Sequence, residues 1–167
     1  ITYAKGAWVY HMLRQLLGDD VFFPMVQEFL TTHAYGTAET ADMLSSFTQY
    51  LAAHDIEPAV PLTTFFDQWV YKRGHPLYTL EAILGAQSDS VAITVILSQT
   101  QSTQPVFVTP IDIDFVGADQ QHATRTFLNT ERVQTETFKL PFVPILAKVN
   151  PEEKILAVTE QAVVTDV

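Results

Sequence analysis

The chain has 167 residues, a formal charge of −10 and a hydrophobic fraction of 47%, enough apolar material for a core and enough length for one ordinary domain or two small ones. Nine basic residues against nineteen acidic ones make a surface that repels nucleic-acid phosphates and anionic lipid, so neither is an expected partner. The absence of cysteine excludes disulfides, thiolate nucleophiles and Cys-ligated zinc. No apolar run approaches the length of a membrane span and no signal peptide is visible, which leaves the compartment open. The opening Ile1-Thr2-Tyr3-Ala4-Lys5-Gly6 has no initiator Met and reads as a cut end.

The pattern of apolar residues changes near Gly74–Pro76 from helical spacing to alternation, which places a boundary between residues 1–75 and 76–167. A first helix is expected from about Ala4 to Leu17, apolar nearly all round and stopped by Gly18. Asp19 or Asp20 is the expected cap of a second helix through Thr32, with Pro24 in its first turn and an apolar stripe of Phe22, Val26, Phe29, Leu30 and His33. Thr40 is expected to cap a third helix to about Ala53 that buries Met43, Leu44, Phe47 and Leu51. A fourth, about Leu62 to Tyr71, carries Phe65, Phe66, Trp69 and Val70 on one side. The second half predicts strands over 77–84, 91–99, 106–116, 124–128, 133–140, 145–149 and 155–164, with turns at 85–90, 117–122 and 150–154. The expected class is α+β: a helical segment followed by an antiparallel β-sandwich.

Four motifs in the helical half, in order, resemble one family. They are Tyr3-Ala4-Lys5-Gly6-Ala7, then Met12-Leu13-Arg14-Gln15-Leu16-Leu17-Gly18 with Phe22, then Tyr35-Gly36 with Thr40-Ala41-Asp42-Met43, and last Phe65-Phe66-Asp67-Gln68-Trp69 with Gly74-His75-Pro76. Together they are similar to the end of the thermolysin-like catalytic domain of the gluzincin zinc aminopeptidases (membrane alanyl aminopeptidase, or aminopeptidase N, family). That family places a small β-sandwich after the Gly-x-Pro, which matches the second half by position. The longer stretch between Asp42 and Phe65 departs from shorter members and affects a loop.

The resemblance implies an enzyme that removes N-terminal residues from peptides with a zinc-activated water. Its metal site, His-Glu-x-x-His with a further Glu, lies upstream of the tyrosine segment in the family. The five histidines here, His11, His33, His54, His75 and His122, include no pair at i, i+4. The expectation is therefore zinc and a peptide substrate for the parent protein, no metal bound by this chain, and no turnover by the chain alone. Tyr3 matches the family's catalytic tyrosine, which the resemblance implies to be a hydrogen-bond donor to the oxyanion of the tetrahedral intermediate. A non-catalytic binding or assembly module, or part of a peptidase that has lost its zinc motif, are the alternative readings.

Other residues carry a structural reading, several of them beside a functional one. Gly6 and Ala7 suggest close helix packing. His11 edges a substrate cleft or is a packed helix histidine. Arg14 pairs with an acid of a missing segment or is a solvated charge. Asp67 and Trp69 hold the last helix to its neighbours. Lys72-Arg73-Gly74-His75 contacts a peptide or is a solvated hinge. Asp112, Asp114 and Asp119 suggest calcium, against the reading of a solvated outer strand face.

Overall fold

A computed structural model describes residues 2–87, 91–102 and 105–166. Its chain divides into two compact units, residues 1–73 and residues 74–167. Together they make the α+β class: four helices, then two β-sheets.

The first unit contains α1 (Thr2–Leu17), α2 (Asp19–Thr32), α3 (Thr40–Ala53) and α4 (Leu62–Phe66), the last running into a π-helical turn over Asp67–Tyr71. Gly18 stops α1 with a positive φ of 78° and hands the chain to α2 in a single residue. That conformation is cheap for glycine and costly for most other residues. It also moves the cap. Gly18, not Asp19 or Asp20, is the N-cap of α2, and both aspartates sit in its first turn at the positive end of the helix. Because α2 begins at Asp19, Pro24 lies in the second turn and forfeits a backbone bond. In α3 the N-cap is Glu39 rather than Thr40, and the Asp42 carboxylate accepts its backbone N–H at 2.8 Å.

The core of this unit is narrower than the helical stripes suggest. It comprises Met12 and Leu13 of α1, Phe22, Met25 and Phe29 of α2, Phe47, Tyr50 and Leu51 of α3, and Phe65, Phe66 and Trp69, all buried. On α2 the inward stripe is Phe22-Met25-Phe29, while Phe23 and Leu30 are exposed. Met43 and Leu44 are only half-buried. The expected α-helix to Tyr71 changes hand-over at Asp67, where the Lys72 N–H reaches back to the Asp67 carbonyl at 3.0 Å, one residue farther than in an α-helix.

The second unit holds β1 (Leu77–Gln87), β2 (Val91–Gln99), β3 (Thr109–Gly117), β4 (His122–Asn129), β5 (Val133–Leu140), β6 (Pro144–Val149), β7 (Val158–Thr159), β8 (Gln161–Val163) and β9 (Thr165–Asp166) among the described residues. One sheet has the order β5-β2-β1-β7 with β9 also on β1; the other has the order β4-β3-β6-β8. The central pairs are antiparallel, but β7 and β9 run parallel to β1. The single strand expected at 155–164 is thus two short ones, followed by β9 just beyond it. The chain pairs with β1, crosses to β6 through β8, and returns to β1. Of the turn expected at 85–90, residues 85–87 belong to β1 and residues 88–90 lie outside the described residues.

Alternation sets which side chains face inward. Tyr78, Leu80, Ala82 and Leu84 of β1 and Ile93, Val95 and Leu97 of β2 are buried in one sheet; Ile111, Ile113 and Phe115 of β3 and Ala147 and Val149 of β6 are buried in the other. The sandwich also has a polar centre. Asn129, fully buried, accepts from the Gln99 amide at 2.6 Å and from the Tyr78 hydroxyl at 3.2 Å. Gln99 donates on to the Phe107 carbonyl at 2.8 Å and accepts the Phe107 N–H at 2.9 Å. Burial pushes the Tyr78 phenol well above the usual tyrosine range. Each buried amide here is satisfied by another, which is the condition for polar groups to stay in a core.

Candidate functional site

Tyr3 stands on the first turn of α1, 95% exposed. Its helix leaves residues 4, 6 and 7 exposed and becomes buried only at Met12. The turn is tied down from the side: the Lys5 ammonium donates to the Lys72 carbonyl at 2.9 Å. Lys72 closes the π-helical turn and its side chain pairs with Asp67. A cation at this carbonyl lies at the negative end of the helical stretch 62–71. The first and last of the four sequence motifs are therefore joined by one bond across 67 positions of chain.

The other candidates find partners nearby. Gly6 has open space where a Cβ would stand, so nothing in this chain presses on it. His11 makes an edge-on contact with Trp8, ring centroids 5.4 Å apart, in keeping with a packed helix histidine. Arg14 neither reaches a distant acid nor floats free. It forms two bonds to Asp19, at 2.6 and 2.7 Å, and lies 5.0 Å from the Phe23 ring centroid. That hydrogen bond holds the Asp19 carboxyl below its usual range and the guanidinium above its own. Trp69 is buried, whereas Asp67 is exposed and pairs with Lys72 at the end of its own turn.

The aspartate face of β3 is not a solvated outer face. The Asp112 and Asp114 side chains are each only 11% exposed. Asp112 accepts from Lys154 at 2.7 Å and Thr126 at 2.6 Å, which raises the Lys154 ammonium's pKa. Asp114 accepts from His122 at 2.8 Å, and its other oxygen is buried with no donor among the described residues. Asp119 sits in the following turn with Gln121. Alternation alone could not reveal this cover, because Lys154 arrives from a loop 42 residues away.

Among the described residues no three His, Asp or Glu side chains converge as a metal site. His33 and His54 turn their Nδ1 atoms to the carbonyls four residues before them, and His122 is on Asp114. These side chains do not fit a zinc centre. No helix among the described residues is long and apolar enough to cross a membrane.

Residues 1–69, within the helical unit, match the peptidase family M1 domain. Aminopeptidase Q of Acinonyx jubatus is 33% identical over 87 residues, 51% of this chain and 9% of that protein. The thyrotropin-releasing hormone-degrading ectoenzyme of Rattus norvegicus is 31% identical over 88 residues, 53% of this chain and 8% of that one. Aminopeptidase N of Mus musculus aligns more widely, 24% identical over 145 residues, 83% of this chain and 14% of its own. The chain thus spans less than a tenth of the length of the first two relatives. In fold it is similar to Legionella pneumophila aminopeptidase A, solved in complex with aspartic acid: TM-score 0.71 at 14% identity, over 94% of this chain and 17% of that one.

Proposed function

We propose that this chain is part of a zinc-dependent aminopeptidase, with residues 1–75 the end of its catalytic domain and residues 76–167 the β-sandwich that follows. The observation that carries the reading is the match of residues 1–69 to the peptidase family M1 domain. The aminopeptidase names of the relatives favour peptide N-termini as substrate.

Tyr3 is the residue of this chain that acts on the reaction. When a peptide carbonyl is attacked, its oxygen gains negative charge, and a phenol O–H aimed at that position stabilises the charge more than it stabilises the starting carbonyl. A phenol on the first turn of a helix, 95% exposed, suits that role.

In the full-length protein, Tyr3→Phe keeps the ring and removes the donor. The expected result is a fall in kcat by roughly 10²–10³ with KM little changed. A variant with unchanged kcat ends the assignment of Tyr3. The 167-residue chain alone is expected to give no hydrolysis of an aminoacyl-anilide with added zinc; chelator-sensitive turnover by a clean sample contradicts that.

A further inference from the structure

We propose that Lys5 is a positioning residue for Tyr3. It clamps the first turn of α1 to the carbonyl that ends the π-helical turn. The inference rests on the reading of Tyr3 as the oxyanion donor.

Three observations lead to it. The first turns of α1 have little of their own burial, since residues 3, 4, 6 and 7 are exposed, whereas Lys5 is half-buried. Packing within this chain therefore holds the helix most firmly at Met12 and Leu13 and less at its start. The Lys5 ammonium then supplies what packing does not, a bond at 2.9 Å to the Lys72 carbonyl. That carbonyl is itself held. The Lys72 N–H is bonded to the Asp67 carbonyl at 3.0 Å and its side chain is paired with the Asp67 carboxylate. The π-helical turn shifts Lys72 by one residue relative to an α-helical continuation, so the carbonyl offered to Lys5 depends on that turn. Behind it, Trp69 is buried in the core of the unit.

Tyr3 and Lys5 are two positions apart and point to different sides of α1. A clamp on one side leaves the other free to face a reacting group while removing the rotation and fraying that would blur its aim. A small misplacement of a transition-state donor is costly in rate.

The test uses Lys5→Met, which keeps the aliphatic stem, and Lys5→Arg, which keeps a charged donor. In the chain itself, Lys5→Met is expected to speed amide hydrogen exchange in the first two turns of α1 and to leave α2 and α3 unchanged. In the full-length protein it is expected to lower kcat about tenfold with KM and zinc content unchanged. Lys5→Arg restores most of the rate. On a Tyr3→Phe background the Lys5→Met loss disappears, because a clamp has nothing left to aim. An undiminished loss on that background, or an unchanged kcat while Tyr3→Phe remains impaired, overturns the role of Lys5 and leaves Tyr3 standing. A Tyr3→Phe variant with normal kcat overturns both.

Discussion

Asn129→Ala should destabilise the β-sandwich far more than its small change in volume implies. The amide oxygen is the shared acceptor of the Gln99 amide and the Tyr78 hydroxyl, and all three residues are buried. Truncation leaves the Tyr78 hydroxyl and one of the two Gln99 amide hydrogens without an acceptor, at about 1–3 kcal/mol each; the other Gln99 hydrogen stays on the Phe107 carbonyl. The Asn129 amide also donates to the Glu131 carbonyl and to Gln134, both at 3.0 Å. Those acceptors lie nearer the surface and can turn to water, so they add little. The expected cost is about 4 kcal/mol, a large share of the stability of a small domain. Both tryptophans, Trp8 and Trp69, belong to the helical unit. Urea unfolding of the whole chain followed by tryptophan emission therefore reports that unit, and circular dichroism in the β region reports the sandwich. The circular dichroism transition should move while the emission transition stays. Tyr78→Phe alone should cost about 1 kcal/mol, and the double variant should fall short of the sum by about 1 kcal/mol or more, since one orphaned donor is gone. A loss below about 1 kcal/mol for Asn129→Ala, or additive single effects, refutes the shared-acceptor argument.

Phe47→Ala, at a site with no exposure, should cost about 3–5 kcal/mol and lower the tryptophan transition, read by the same urea titration. Gly117→Ala should destabilise the sandwich by about 1–3 kcal/mol, because a Cβ there would stand 2.9 Å from the Phe142 ring and clash with the Gln121 side-chain oxygen; the midpoint of the circular dichroism transition measures it. The Arg14 hydrogen bond lowers the Asp19 pKa, so its contribution is present above the ordinary aspartate range and is lost as pH falls through the folded value. Asp19→Asn should accordingly lower the melting temperature slightly at neutral pH, with the difference closing in acid. The Asp112 bond raises the Lys154 pKa, so that contribution is present below the ordinary lysine value and is lost as pH rises through the folded one. The melting difference between wild type and Lys154→Gln should therefore persist through neutral pH and vanish only in strong alkali.

Much of this protein follows from its sequence by itself. Spacing over a few residues decides whether a segment is helix or strand, so the helices at 2–17, 19–32 and 40–53 and the alternating strands 91–99 and 133–140 are legible from local pattern alone. The four motifs around Tyr3, Gly18, Asp42 and Trp69 likewise point to the family whose domain model matches residues 1–69. What remained hidden are pairings between distant positions. Lys5 with Lys72, Asp112 with Lys154, and Gln99 with Asn129 lie 67, 42 and 30 residues apart. Nothing local marks a lysine as a clamp or an aspartate as covered. The same holds at 158–166, where a continuous stretch splits into three strands on two sheets because the free edges of β1 and β6 decide the pairing. Periodicity determines which face of an element is apolar; only the tertiary structure determines what is brought against the other face. For the start of α1 that difference matters most: the sequence presents Tyr3, and the folded chain supplies the Lys72 carbonyl that holds its turn in place.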